Sequence, residues 1–158
     1  MTRRRPTGVS VEKMRRHVTD LCEKHDITVG FARRVHAAHA IRAAEEIRIP
    51  PIKSAISYAT ALHEVGHIIG RHQRSNSTMV VERWAWHWAR VNALIWTPAM
   101  EQSARKALDW YARRAAELDR KRRRRRIDLR KRGYVEIAPG AFARLSDQIA
   151  QDEMRLVK

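Results

Sequence analysis

His63-Glu64-Val65-Gly66-His67 places two imidazoles and a carboxyl group within five residues. On an α-helix, residues four apart lie on one face, one turn above the other, so both imidazoles can reach a single metal ion. Glu64 is rotated by about 100° from His63, which sets it beside such an ion rather than on it. A carboxylate there suits a general base acting on metal-activated water, whose pKa zinc can bring from 15.7 to roughly 7. The chemistry implied is metal-assisted hydrolysis. With 8 His in 158 residues, the pattern His-Glu-x-x-His arises by chance about 0.025 times per chain. The alternative is two core histidines on an ordinary helix.

The residues around the motif describe the helix that must carry it. Ala59, His63, Gly66, His67 and Gly70 form one stripe, small apart from the histidines, and Tyr58, Leu62, Val65 and Ile69 form an apolar one. Pro50-Pro51 is a hard stop before it, and Ser54 offers an N-cap, so the spacing predicts a helix over 54–71. A catalytic zinc site wants a third protein ligand and one open position. Glu82 is the candidate: it sits in the apolar, tryptophan-rich stretch Val80 to Trp96, where a carboxylate is out of place unless paired or metal-bound. Ala85 and Ala89 flank it at helical spacing and permit close approach. The competing use is an exposed first-turn Glu favoured by the helix dipole.

Before the motif, Val11, Met14, Val18, Leu21 and Cys22 predict a helix over 11–25, with Ser10 as a cap. Ile27, Val29 and Phe31 alternate, as do residues 46–49, which predicts a small meander of two or three strands, although Val35 to Ala44 is Ala-rich enough for a helix. His36 and His39 could form a second metal pair but read better as surface histidines. The Val80–Trp96 stretch predicts a helix buried on most sides. Thr97-Pro98 starts a long helix over 98–125 whose inner face is Met100, Ala104, Ala107, Leu108, Tyr111, Ala115 and Leu118. Arg120 to Arg126 are seven consecutive basic residues, expected to be solvated or disordered unless an anion binds. Tyr134 to Ile137 reads as a short strand or turn. Pro139-Gly140 opens an expected last helix with Phe142, Leu145, Ile149 and Met154 on one side. The fold class is therefore α+β and mostly helical, with residues 1–119 as one domain and 120–158 as a basic segment ending in that helix.

Formal charge is +16, from 33 Lys+Arg against 17 Asp+Glu, so an acidic partner is expected. The single cysteine, Cys22, excludes an intramolecular disulfide and fits a reducing cytoplasm. The N-terminus is basic with no apolar run behind it, which reads as no secretory signal, and no stretch is apolar enough to suggest a membrane span.

His-Glu-x-x-His occurs in several zincin subclasses. The metzincin pattern would have His at 73, where this chain has Gln, with His72 one residue early. The gluzincin pattern takes a Glu from a following helix, and Glu82 lies fifteen residues past His67. In Ala61-Leu62-His63-Glu64-Val65-Gly66-His67 and the later Glu82-Arg83-Trp84-Ala85, the chain resembles the ImmA/IrrE family of small gluzincin-like metallopeptidases. The resemblance covers roughly residues 45–97. It implies a zincin-like core with a small sheet beside the motif helix, Zn2+ held by His63, His67 and Glu82, and Glu64 as the base. It also implies a protein substrate, as for relatives that cut a DNA-bound transcriptional repressor of a phage or mobile element. A transition-state stabiliser should stand nearby, and Tyr58, His72, His87 and Tyr111 are candidates, Tyr58 being on the apolar stripe. The rival reading is a basic module binding nucleic acid non-specifically through Arg120–Arg126, or another protein, with a structural or non-catalytic zinc.

Overall fold

The computed structural model of the chain describes residues 8–148. It forms two compact units, residues up to Ala112 and residues from Arg113 onward. The first unit begins with α1, Val11–Lys24, where Ser10 Oγ accepts from the Lys13 amide and Met14, Val18 and Cys22 form the buried stripe. Three short strands follow: β1 Thr28–Phe31, β2 His39–Ile41 and β3 Glu46–Ile49. Two 3₁₀ turns, Val35–Ala37 and Arg42–Ala44, bracket β2, so the Ala-rich stretch forms no α-helix.

The three strands are not a meander. Their order is β1-β3-β2, with β1 parallel and β2 antiparallel to the central β3. The connection over β2 explains this: β3 returns to fill the gap between two strands already laid down. Ile47 and Ile49 point into the core, whereas Glu46 and Arg48 pair at 2.7 Å on the other face.

Helix α2, Ala55–Ile69, starts at a reciprocal cap, Ser54 Oγ accepting from the Ser57 amide and Ser57 Oγ from the Ser54 amide. Tyr58, Leu62 and Val65 are fully buried, as the apolar stripe predicts. The small stripe faces α3, Thr78–Asn92. A Cβ added at Gly66 would lie 2.8 Å from the Ala85 carbonyl oxygen, so glycine is what lets these two helices touch there. Helix α3 is less buried than its composition predicts: Glu82, Ala85, Trp86 and Ala89 face inward, while Val91 is exposed and the chain leaves the helix at Asn92, before Leu94.

Helix α4, Pro98–Lys131, runs six residues beyond the expected end and carries the whole Arg120–Arg126 run in helical form. Its buried face is shorter than predicted. Met100 and Ala104 are buried, Ala107, Leu108 and Tyr111 partly so, and Leu118 is exposed.

In the second unit, α4 is followed by β4, Tyr134–Ala138, and β5, Ala141–Arg144, an antiparallel pair. The expected helix from Pro139-Gly140 is therefore corrected. Gly140 has φ +80° and turns the hairpin, and Phe142 lies in β5. Leu145 begins a helical stretch, and Ile149 and Met154 lie outside the described residues. Among the described residues, no helix is long and apolar enough to cross a membrane.

Candidate metal centre

Helix α2 presents His63 and His67 one turn apart, and the second turn of α3 brings Glu82 between them. The three donor atoms form a triangle. His63 Nε2 and His67 Nε2 are 3.0 Å apart, and Glu82 Oε2 is 3.3 Å from the first and 3.6 Å from the second. Ligand bonds of about 2.0–2.1 Å in a tetrahedron give faces with edges of about 3.3 Å. The observed triangle is such a face, so the residues fit a metal ion. Among the described residues, these three are the only group of three or more His, Cys, Asp or Glu side chains so placed. His36 and His39 are not part of such a group.

Burial points the same way. Glu82 is 6 % exposed, and its Oε2 has no hydrogen-bond partner although two imidazoles face it. A buried, unsatisfied carboxylate oxygen costs several kcal/mol unless a cation or donor answers it. An exposed first-turn Glu is thereby excluded. Burial acts to raise the Glu82 carboxyl, but the two histidines outweigh it and hold it down at about 2. Burial lowers His63, and the neighbouring His67 adds to this. Burial acts on His67 too, yet Glu82, Gln73 and Glu64 together raise it. The anionic carboxylate and an imidazole kept neutral by burial are ligands in their binding forms.

Gln73 supplies a feature that local spacing does not reveal. Its Oε1 accepts from His67 Nδ1 at 2.9 Å, and its Nε2 donates to the carbonyls of Val81 at 3.1 Å and Arg71 at 3.3 Å. Because the amide nitrogen is committed to two carbonyls, the oxygen must face His67. Nδ1 then carries the proton and Nε2 turns its lone pair to the triangle, the arrangement that metal-ligating histidines use. Gln73 occupies the position where the metzincin pattern has its third histidine, and it reaches the site through His67 instead. Trp86 is the second unforeseen neighbour. It stacks on His63 with ring centroids 4.2 Å apart and planes 22° from parallel, fixing that imidazole's orientation.

A cavity of about 260 Å³ opens over the triad, lined by Glu64, Tyr111 and, from the strand side, Ala38, His39, Ala40 and Arg42. Burial raises the Glu64 carboxyl to about 7, with Glu82 adding to the rise and His67 opposing it. Burial likewise pushes the Tyr111 phenol up to about 12, aided by the carboxylates of Glu82 and Glu64, so it is a hydroxyl donor at neutral pH. A larger groove of about 990 Å³ runs between α1 and β1, but its lining includes none of the triad. The small cavity is where the titratable groups converge, and convergence marks a site better than size does.

The four candidate stabilisers now separate. Only Tyr111 lines this cavity. The Tyr58 hydroxyl is 2.7 Å from His17 Nδ1 and accepts from the Leu94 amide at 3.0 Å, a core role. His72 packs on Trp84 at 4.5 Å between centroids, and His87 meets the same ring edge-on at 5.4 Å. His39 is exposed, as expected of a surface residue, and stands at the rim of the cavity with its Nδ1 donating to the Ala37 carbonyl at 2.9 Å. Burial pushes the Cys22 thiol up to about 11, so it is no rival nucleophile.

No family model, curated protein or solved structure matches the chain. The site therefore stands on its own geometry. His63-Glu64-x-x-His67 and the distal Glu82 form a buried cluster that matches the zincin signature of His-Glu-x-x-His plus Glu, within a mixed α+β fold consistent with a zincin metallopeptidase.

Proposed function

We propose that the chain is a zinc-dependent peptidase of the gluzincin kind, with His63, His67 and Glu82 as ligands and Glu64 as the general base. The observation that carries this reading is the triangle of donor atoms at 3.0, 3.3 and 3.6 Å with Glu64 beside it. Two imidazoles and one carboxylate are a donor set suited to Zn2+. When bound, zinc supplies a Lewis acid that polarises a carbonyl and acidifies water.

The chain's own groups do the rest. Glu64 removes a proton from the attacking water and passes it to the leaving amine. Tyr111 donates its hydroxyl to the oxygen on which charge develops. Strand β2 pairs only with β3 among the described strands, so its outer edge, beside the cavity, can add an extended peptide by backbone hydrogen bonds. A protein with an exposed extended segment is thus the substrate class. The resemblance to the ImmA/IrrE family narrows it to a repressor of a phage or mobile element, cut in the cytoplasm. Incubating the zinc-loaded protein with an unstructured protein substrate tests the reading. Cleavage that stops in Glu64→Gln, with zinc retained, supports it, and equal cleavage by that variant overturns it.

A further inference from the structure

The peptidase reading makes no use of the second unit, where charge is concentrated. Residues 113–148 hold thirteen Arg and Lys against five Asp and Glu, so half of the chain's net +16 lies in 36 residues. The run is an exposed helix rather than a loose tail. Of the ten cations from Arg120 to Arg132, three have acidic partners: Lys121 with Glu117 at 2.8 Å, Arg126 with Glu136 at 3.2 Å and Arg132 with Asp128 at 3.8 Å. Arg120, Arg122, Arg123, Arg124, Arg125, Arg130 and Lys131 pair with no acid among the described residues.

Helix geometry says what these seven would meet. At about 100° per residue they point to every side of the helix, over a length of about 18 Å. A flat anionic membrane would use one side only and would want an apolar face, but Ile127 and Leu129 lie on nearly opposite sides. Residues 113–132 contain no aromatic ring on which an unpaired base would stack, and the nearest ring beyond them, Tyr134 in β4, already has the Arg144 guanidinium over it at 5.8 Å. A helix about 10–12 Å across with cations all round fits a channel with anions on both walls. The major groove of B-form DNA, about 12 Å wide, is such a channel, whereas that of duplex RNA is too narrow.

We propose that α4 from Arg120 to Lys131 binds duplex DNA through its phosphates, without selecting sequence. Five to seven phosphate contacts give a log–log slope of affinity against salt of about −4.5 to −6. Between 50 and 200 mM salt, the lower figure weakens binding about 500-fold. The experiment is fluorescence anisotropy of a labelled 20-base-pair duplex of arbitrary sequence, with the full chain, across that range. Replacing Arg120, Arg123, Arg124 and Lys131 by Gln, a comparable helix former, is expected to flatten the slope by about 3.6. The control K121Q/R132Q removes cations that already have partners and is expected to change it by less. A slope near zero, an unchanged slope in the fourfold variant, or equal affinity at the same salt for duplex RNA, phosphatidylserine vesicles or polyglutamate overturns the proposal. Zinc content is read on the same samples and stays unchanged, so failure here is separable from failure of the peptidase reading.

Discussion

Replacing Gln73 by Met keeps length and shape while removing both hydrogen-bonding ends of a buried side chain. In the metal-free protein the loss is softened, because His67 can shift its proton to Nε2, which faces His63 Nε2 at 3.0 Å and the Glu82 carboxylate at 3.6 Å. Once Nε2 is tied to zinc that escape closes, and Nδ1–H must stay on a nitrogen whose acceptor has gone. The cost of an unanswered buried donor, about 1–3 kcal/mol, thus falls on the loaded state. It corresponds to zinc bound about 5- to 150-fold more weakly. Competition against a chromophoric chelator at pH 7.5 measures it, with circular dichroism as a check on folding. A Gln73→Met protein that folds and binds zinc within twofold of the parent would refute the argument that this amide orients His67.

Three further outcomes follow from the same geometry. Gly66→Ala puts a methyl group against the Ala85 carbonyl, forces α2 and α3 apart, and should cost about 1–3 kcal/mol in urea unfolding together with zinc affinity; an unchanged midpoint would contradict the close approach. Glu64 has its carboxyl raised to about 7 from 4.5, so its neutral form favours the fold below pH 4.5 and that contribution is lost as pH rises through 7. Metal-free protein should therefore lose about 3 kcal/mol between pH 4.5 and 8 that Glu64→Gln does not lose, and parallel unfolding curves would count against the burial of this carboxyl. Because Trp86 stacks on His63, zinc should change tryptophan emission in the parent chain, and Trp86→Phe should abolish most of that change; a full response without Trp86 would place the reporter elsewhere.

The site was legible largely because its chemistry is local. His63 and His67 share a helix face whatever surrounds them, and Glu82 stood out as a carboxylate in an apolar stretch. The starts of α1 and α2 followed from Ser10 and Ser54, whose hydroxyls accept from the first-turn amides. Gln73 was not legible, since nothing in a polar loop says which side chain folds back onto a helix six residues away. The strand order failed for a related reason: alternation in β1 and β3 marks strands, but their parallel pairing is non-local and depends on how residues 32–45 return. Extending α4 through the arginines needed the helix propensity of Arg, aided by the Lys121–Glu117 pair, to outweigh repulsion. At Pro139-Gly140, apolar spacing suggested a helix where the turn residues make a hairpin.

Zinc stoichiometry by inductively coupled plasma mass spectrometry, on protein purified without added metal, decides whether the triad holds an ion. About one zinc per chain is expected in the parent and in Glu64→Gln, and near none in His63→Ala or Glu82→Ala. A parent without zinc that takes up none on titration, or a Glu82→Ala protein that keeps its full complement, would contradict it.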